Sequence, residues 1–406
     1  MKTALARELR DIINDSHTKT WEIFDIVRQS ALVYGPQTVK RWRSPGEPAF
    51  VSTLLENAVN SGALRSSLLR HLSPKGLCST EPLVSGIFIH QKPKIEFANS
   101  KEQIELGDLL LVRHHFKVGA DFPEGRAVLL QAKSGKRPVT GPMRKKEATQ
   151  FNLYSDWSTK FKFPHGEIGS PPDGSEYWDF SKGPGHCSTS GEYGLVSSTR
   201  DNFFCFPDES AWAVGAAIPP SGNQPARVTG TTSLAEAFEG FLIGRWGRRW
   251  DVDGKDGDHW SSFVKECLAA AVGWRHYPVD RLDSYYPRRR DLTALCYALA
   301  DVGVHNAFSW ESSPPVPRWL REIGGWSEAG EDERAREQRF RARELMRAAT
   351  KNYGHLDLRL WPDYGPPYYL DTPEWTGPPG HRGISVLYVA TSGAGSLEEA
   401  PFQPRE

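Results

Sequence analysis

The sequence predicts an α/β protein in which a mixed β-sheet core flanked by helices is followed by a mostly helical C-terminal region. Three observations carry that expectation. Two short apolar runs, Leu109–Val112 and Ala127–Leu130, are bounded by Gly, Pro and charged residues, which favours interior strands, and the Gly119 to Gly125 region between them suits a hairpin connection. Residues 47–59 place Pro48 in a first turn ahead of an apolar stripe of Phe50, Leu54 and Ala58, as an amphipathic helix requires. Ser233-Leu-Ala-Glu236 is a capping box leading into the stripe Leu234, Ala237, Phe238, Phe241 and Leu242.

The remaining elements follow in chain order. Leu5, Leu9, Ile12 and Ile13, then Trp21, Phe24, Ile26 and Val27, predict a pair of helices. Residues 50–72 read as a further helix, and 82–98 contain a strand that starts at Leu83 and leads into the hairpin. Pro164 to Gly191 is rich in Gly, Pro and Ser and reads as a long loop. Strand-like pieces at Tyr193 to Ser197 and Trp212 to Ile218 complete the sheet, and a boundary falls near Pro219 to Arg227. A helix capped by Asp258 runs to Val272, and 331–350 forms a charge-laced helix with Asp332–Arg336 and Glu337–Arg341 at i, i+4. From Trp361 to Trp375, Pro alternates with Tyr and Trp. The expected organisation is thus a helical segment at 1–40, a core domain at 41–220, a mainly helical domain at 221–393 and a disordered tail at 394–406.

Composition narrows the function. Lys plus Arg equals Asp plus Glu at 50 each, so a nucleic-acid footprint has to be local and not a property of the whole surface. No apolar run approaches the length of a spanning helix, Met1 to Glu8 lacks a signal-peptide core, and the five cysteines contain no C-x-x-C pair. These features predict a cytoplasmic protein with reduced thiols and no zinc cluster. There is no phosphate-binding Gly-x-x-x-x-Gly-Lys-Ser/Thr loop, and the Asp251–Ser262 segment fails as a calcium loop because Asp256 and Ser262 stand where Gly and Glu are needed.

Chemistry concentrates around the two apolar strands. Asp108 lies on the first strand. Gln131 and Lys133 leave the second on one face, while Val128, Leu130 and Ala132 leave on the other. A lysine and a carboxylate on a half-buried sheet face need partners to offset their desolvation, and a metal ion is a suitable one. Seventeen residues after Lys133, Gln150 and Tyr154 share a helix face at i, i+4. Glu105, three residues before Asp108 on what reads as the same strand, is expected to point the other way as a solvated charge. Lys136, Arg137, Arg144, Lys145 and Lys146 then occur with no acid until Glu147, which makes either a solvated loop or a place to hold a phosphate backbone. Taken singly, an Asp after Gly is ordinarily a turn residue and a strand-end Lys ordinarily solvated; the ordered set is what points to a site.

That set, Asp108, Gln131-Ala132-Lys133 and then Gln150-x-x-x-Tyr154, resembles the PD-(D/E)xK nuclease superfamily over roughly residues 47–154. Gln in the first place of the tripeptide is similar to the Mrr-type variant, and Gln150 with Tyr154 resembles the Q-x-x-x-Y motif of the RecB and lambda-exonuclease branch. The resemblance implies a restriction-endonuclease-like core and a divalent cation, Mg2+ or Mn2+, held by Asp108, Gln131, the Ala132 carbonyl and Glu47, with Glu56 as the fallback acid. It implies that Lys133 orients or deprotonates water and that Gln150 and Tyr154 complete the catalytic set. The basic run from Lys136 to Lys146 would hold nucleic acid. The implied function is metal-dependent phosphodiester hydrolysis, most simply by a DNA endonuclease of a bacterial restriction or anti-phage defence system, working alone, as a homo-oligomer or with a partner protein. Three other readings compete. The chain could cut RNA, could bind nucleic acid without cutting because Gln131 replaces a carboxylate, or could be an interaction protein whose Lys and Asp are ordinary surface residues.

Overall fold

The computed structural model describes residues 3–34, 44–60, 63–79, 82–87, 93–98, 102–118, 124–140, 148–164, 168–184, 187–221, 225–251, 258–273 and 384–397. It opens with one long helix, α1 (Ala4–Tyr34), where a helical pair was expected; no Gly or Pro interrupts these residues, so the apolar stripe of Leu5, Leu9 and Ile13 continues without a turn. Where one helix was expected over 50–72, the described residues form α2 (Glu47–Asn60) and α3 (Ala63–Leu72). Then come β1 (Leu83–Ile87), β2 (Lys94–Phe97), β3 (Gln103–Glu105), β4 (Leu109–Lys117), β5 (Glu124–Gly135), α4 (Ala148–Ser155) and β6 (Phe161–Lys162). They are followed by β7 (Gly191–Ser197), β8 (Trp212–Gly215), β9 (Ala217–Ile218), β10 (Arg227–Val228) and β11 (Thr232–Ser233). The described chain ends with α5 (Leu234–Ile243), β12 (Arg248–Trp250), α6 (His259–Gly273) and β13 (Val386–Gly393).

An eight-stranded sheet runs in the order β1-β13-β4-β5-β7-β8-β11, with β12 also paired to β5. It is mixed: β13 lies parallel to β4 and β5 parallel to β7, while β4 with β5, β1 with β13, and β7 with β8 are antiparallel. The chain is therefore α/β with a mixed multistranded sheet flanked by helices, as expected. Alternation sends Leu109, Leu111 and Leu130 to one face, where they meet Leu9, Ile13, Leu54 and Phe238 of α1, α2 and α5. On the other face Trp157, held by Nε1–H donation to the Gly191 carbonyl at 3.2 Å, lies over the β5–β7 seam beside Leu129. Both faces are covered, which is why β4 and β5 read as continuous apolar runs.

Several expectations change. Glu105 does not share a strand with Asp108: β3 belongs to a separate three-stranded sheet, β3-β2-β6, and the chain changes sheets between the two acids. The strand at Leu83 does not lead into the hairpin but forms the sheet edge beside β13. The sheet also does not break near residue 220, because β12 and β13, expected in a separate helical domain, pair with β5 and with β1 and β4. Residues 274–383, including the charge-laced 331–350 segment and the aromatic 361–375 stretch, and residues 398–406 of the expected tail lie outside the described residues. Among the described residues no helix is long and apolar enough to cross a membrane.

Two buried histidines bear on stability. His17 of α1 stacks on Phe50 and sets Nε2 2.7 Å from the Ser197 carbonyl, and burial pushes its pKa down to about 4. Burial pushes His114 of β4 down to about 3, with Arg113 and His115 adding repulsion. Both folded-state values lie below the ordinary 6.5, so the unfolded chain takes up protons first as pH falls. The contribution of the two histidines is complete above pH 6.5, and that of His17 is lost progressively from 6.5 to 4, by roughly 3 kcal/mol. The difference in urea-unfolding stability between the wild type and His17→Gln, which keeps a donor toward Ser197, should change by this amount between pH 7 and pH 4.5, because the variant leaves the opposite contribution of other buried groups in place; a difference that does not vary with pH would remove His17 from the account.

Candidate active site

The site is made by an unequal overlap of strands. β4 pairs with β5 only as far as Leu109 opposite Leu130, so beyond Leu130 one edge of β5 has no strand neighbour while β7 continues along the other to Gly135. Even-numbered peptide groups of β5 face the open edge. The Leu130 carbonyl accepts from Asp108 N–H at 2.9 Å, Ala132 N–H donates to Asp108 Oδ2 at 2.7 Å, and Ser134 N–H donates to Glu47 Oε1 at 3.1 Å. Two carboxylates thus stand where a strand would have offered carbonyls, and the Ala132 carbonyl opens to the same side between them. Glu47 reaches this edge because it is the first residue of α2. Glu56 lies within α2, but its side chain is outside the described residues.

A directed chain of side-chain bonds links the rest. Lys133 Nζ donates to Gln150 Oε1 at 3.1 Å; Gln150 Nε2 donates to Gln131 Oε1 at 2.5 Å and to the Glu105 carbonyl at 3.0 Å; Gln131 Nε2 donates to Asp108 Oδ2. An ammonium only donates and a carboxylate only accepts, so both amides have their orientation set by what lies at the two ends. Asp108, Gln131, Lys133 and Gln150 are therefore one connected group, and Glu47 stands beside it on the Ser134 N–H. Asp108, Gln131 and Gln150 are buried, and Lys133 and Glu47 are half-buried. Tyr154 acts on the residues that precede Asp108. Its buried hydroxyl donates to the Leu106 carbonyl at 3.0 Å, fixing the turn that carries Asp108, and Gly107 is needed there because a Cβ would lie 2.8 Å from that oxygen.

Electrostatics follow from the burial. Desolvation pushes the Asp108 carboxyl up to about 7, and Glu47 adds to the rise, against the pull of Lys133 and of the donors from Ala132 and Gln131. Both hydrogen bonds to Asp108 fall on Oδ2, so Oδ1 is the oxygen available to a further ligand. Among the described residues no three His, Cys, Asp or Glu side chains converge on a metal position. The donors here are instead two carboxylates, one amide carbonyl and one peptide carbonyl, all hard oxygens of the type that holds Mg2+ or Mn2+. A cation among them would add to the counter-charge that Lys133 already gives the buried Asp108, so the residues fit the group.

Of the other expected residues, Lys136 and Arg137 follow β5 directly and are exposed, whereas Arg144, Lys145 and Lys146 lie outside the described residues. Ser134 was missed, since nothing in its identity marks a backbone donor. The same holds for the Glu105 carbonyl, which accepts from Gln150 through the backbone. Compared with known proteins, the chain matches no family model, no curated protein and no solved structure.

Gln131→Glu tests the bonding pattern without reference to activity. It deletes the donor to Asp108 and adds a third carboxylate, so the metal-free protein should lose about 2–3 kcal/mol at pH 8, as unpaired buried polar groups do. Millimolar Mn2+ should return much of that loss. By contrast Tyr154→Phe, which strands the Leu106 carbonyl, should cost about 1–3 kcal/mol whether or not metal is present. Equal losses for the two variants in both conditions would contradict this division of roles.

Proposed function

We propose that the chain is a divalent-metal-dependent nuclease of the PD-(D/E)xK type with a restriction-endonuclease-like core, acting on DNA. The observation that carries this reading is the convergence on one open strand edge of Asp108, Glu47 and the Ala132 carbonyl, with Lys133 tied to them through Gln150 and Gln131. When bound, Mg2+ or Mn2+ would offset charge on the phosphoryl oxygens and lower the pKa of water. Asp108, Glu47 and the Ala132 carbonyl would hold the cation. Gln131 would add a neutral oxygen, since its carbonyl keeps a lone pair beyond the bond from Gln150. Lys133 is the cation nearest to where the scissile phosphate would lie. Its ammonium can orient the attacking water and stabilise charge that develops on the phosphoryl group. Gln150 aims that ammonium, and Tyr154 fixes the Asp108 turn. Exposed Lys136 and Arg137 continue from the same strand toward solvent, where a phosphate backbone would pass. A role in restriction or anti-phage defence extends this reading to a cellular setting.

One observation favours a second reading, in which the site binds nucleic acid without cutting. Gln131 is already engaged by both Asp108 and Gln150, so the site is closed by internal bonds in the absence of a cation.

Supercoiled plasmid, linear duplex, single-stranded DNA and RNA incubated with 5 mM Mg2+ or Mn2+ separate the two. Cleavage should require the metal and fall by about 10²-fold or more in Asp108→Ala and in Lys133→Ala. Binding with no cleavage under any divalent ion would establish the second reading, and cleavage of RNA alone would redirect the substrate. Because Asp108 is held protonated below about pH 7, the rise in melting temperature given by Mg2+ should be larger at pH 8 than at pH 6.

A further inference from the structure

Among the described residues Phe204 is the one large aromatic side chain that is exposed. In the loop after β7, Phe203 packs edge-on against His17 at 4.9 Å between ring centres and Phe206 is 3 % exposed, yet Phe204 between them is 80 % exposed. That loop is held in place. Thr199 Oγ1 donates to the Asn202 carbonyl at 2.8 Å, Phe206 N–H to the Phe203 carbonyl at 2.8 Å, and Phe204 N–H to Asn202 Oδ1 at 3.3 Å. Just beyond Phe206, Asp208 and Glu209 take positive φ of 61° and 50°, conformations that non-glycine residues adopt only when their surroundings require it. The Asn14 amide brackets this corner, donating to the Glu209 carbonyl at 3.1 Å and accepting from Ala211 N–H at 2.7 Å. With Phe203 and Phe206 anchored on either side, Phe204 is left exposed, with no ring contact among the described residues.

Its location gives it a use. β5 and β7 are parallel, so the loop leaves the sheet at the same end as Lys133, Ser134 and Gly135. Ser198 N–H donates to the Gly135 carbonyl at 2.8 Å, and the Cys205 thiol donates to the Lys136 carbonyl at 3.3 Å, which locks the residue after Phe204 to the segment carrying the exposed Lys136 and Arg137. Among the described residues neither of those cations forms an ion pair. We propose that Phe204 stacks on an unpaired base while Lys136 and Arg137 hold the adjoining phosphates, so that the site receives a single-stranded segment. This rests on the nuclease reading for the presence of nucleic acid, but it concerns a surface outside the metal cluster. A ring face accepts any base, and fixed cations beside it follow the backbone, which is how single strands are held without sequence readout.

The test measures binding separately from cleavage. Affinities of the full chain for a labelled single-stranded oligonucleotide and for a blunt duplex are compared in EDTA, where no hydrolysis occurs. Phe204→Ala and Phe204→Leu should each weaken single-strand binding on the order of tenfold with little change for the duplex, while Phe204→Tyr retains it. Lys136→Ala with Arg137→Ala should weaken both ligands and lower the salt dependence. An unchanged melting temperature for Phe204→Ala shows that the fold is intact. Single-strand binding equal to wild type in Phe204→Ala overturns the proposal, as does equal loss in the Tyr variant or a change only in the oligomeric state. Should Phe204→Ala lose binding while no metal supports cleavage, the nuclease reading fails and this one stands.

Discussion

The organising constraint of the molecule is that a buried strand edge cannot be left unpaired. β5 is longer than β4, and from Ala132 onward its peptide groups on that side face no neighbouring strand. Backbone N–H groups taken out of water without a partner are costly, so something must accept from Ala132 and Ser134. Asp108 and Glu47 do so, one from the turn before β4 and one from the first turn of α2. The same two bonds that complete the sheet therefore gather two negative charges around a peptide carbonyl. Fold and site are not separable here: shifting β4 by two residues would cover the edge and dismantle the cluster.

What the sequence shows of this follows from range. Features set by neighbours along the chain are legible: the alternation that puts Gln131 and Lys133 on one face, the Gln150 and Tyr154 spacing, and the Ser233 cap, whose Oγ accepts from Glu236 N–H at 3.2 Å. Pairing across long separations is not. β13 joins the sheet between β1 and β4 from beyond residue 385, and nothing local says that Val386–Gly393 will lie beside residues 110–117. Its place is secured by buried polar groups, Arg113 donating from Nη2 to Thr391 Oγ1 at 2.6 Å and His115 Nε2 lying 2.8 Å from the Gly395 carbonyl. The shift from β3 in the small sheet to β4 in the large one is hidden for the same reason, since Glu105 to Asp108 reads as one extended stretch.

Aromatic composition misleads in a similar way. Fourteen tryptophans suggest either core or binding platform. In the described fold Trp157, Trp178, Trp212, Trp250 and Trp260 are fully buried, and Phe161, Phe163, Phe180 and Phe263 join Trp178 and Trp260 in one edge-to-face and stacked cluster. This cluster explains how the Gly- and Pro-rich stretch before β7 can be ordered without long regular elements: it is fastened by rings, and by Arg248 donating to the Phe180, Pro184 and Lys182 carbonyls. Against that background an exposed phenyl on a loop bonded to the Lys136–Arg137 segment is an exception with a location.

The glutamine at 131 then has a physical rationale. A carboxylate there would place three acids around one buried edge, facing a single lysine, and Asp108 already has its pKa raised by burial and by Glu47 with only two acids present. Like charges this close drive one another toward protonation. An amide of the same length removes one charge and also supplies what a carboxylate cannot: a donor for Asp108 together with an acceptor for Gln150. The relay from Lys133 to Asp108 thereby closes through both amides without a cation. The consequence is a trade between two states of the same residues. The amide lowers the electrostatic cost of the protein without its cation, and it lowers by the same charge the attraction available to hold one.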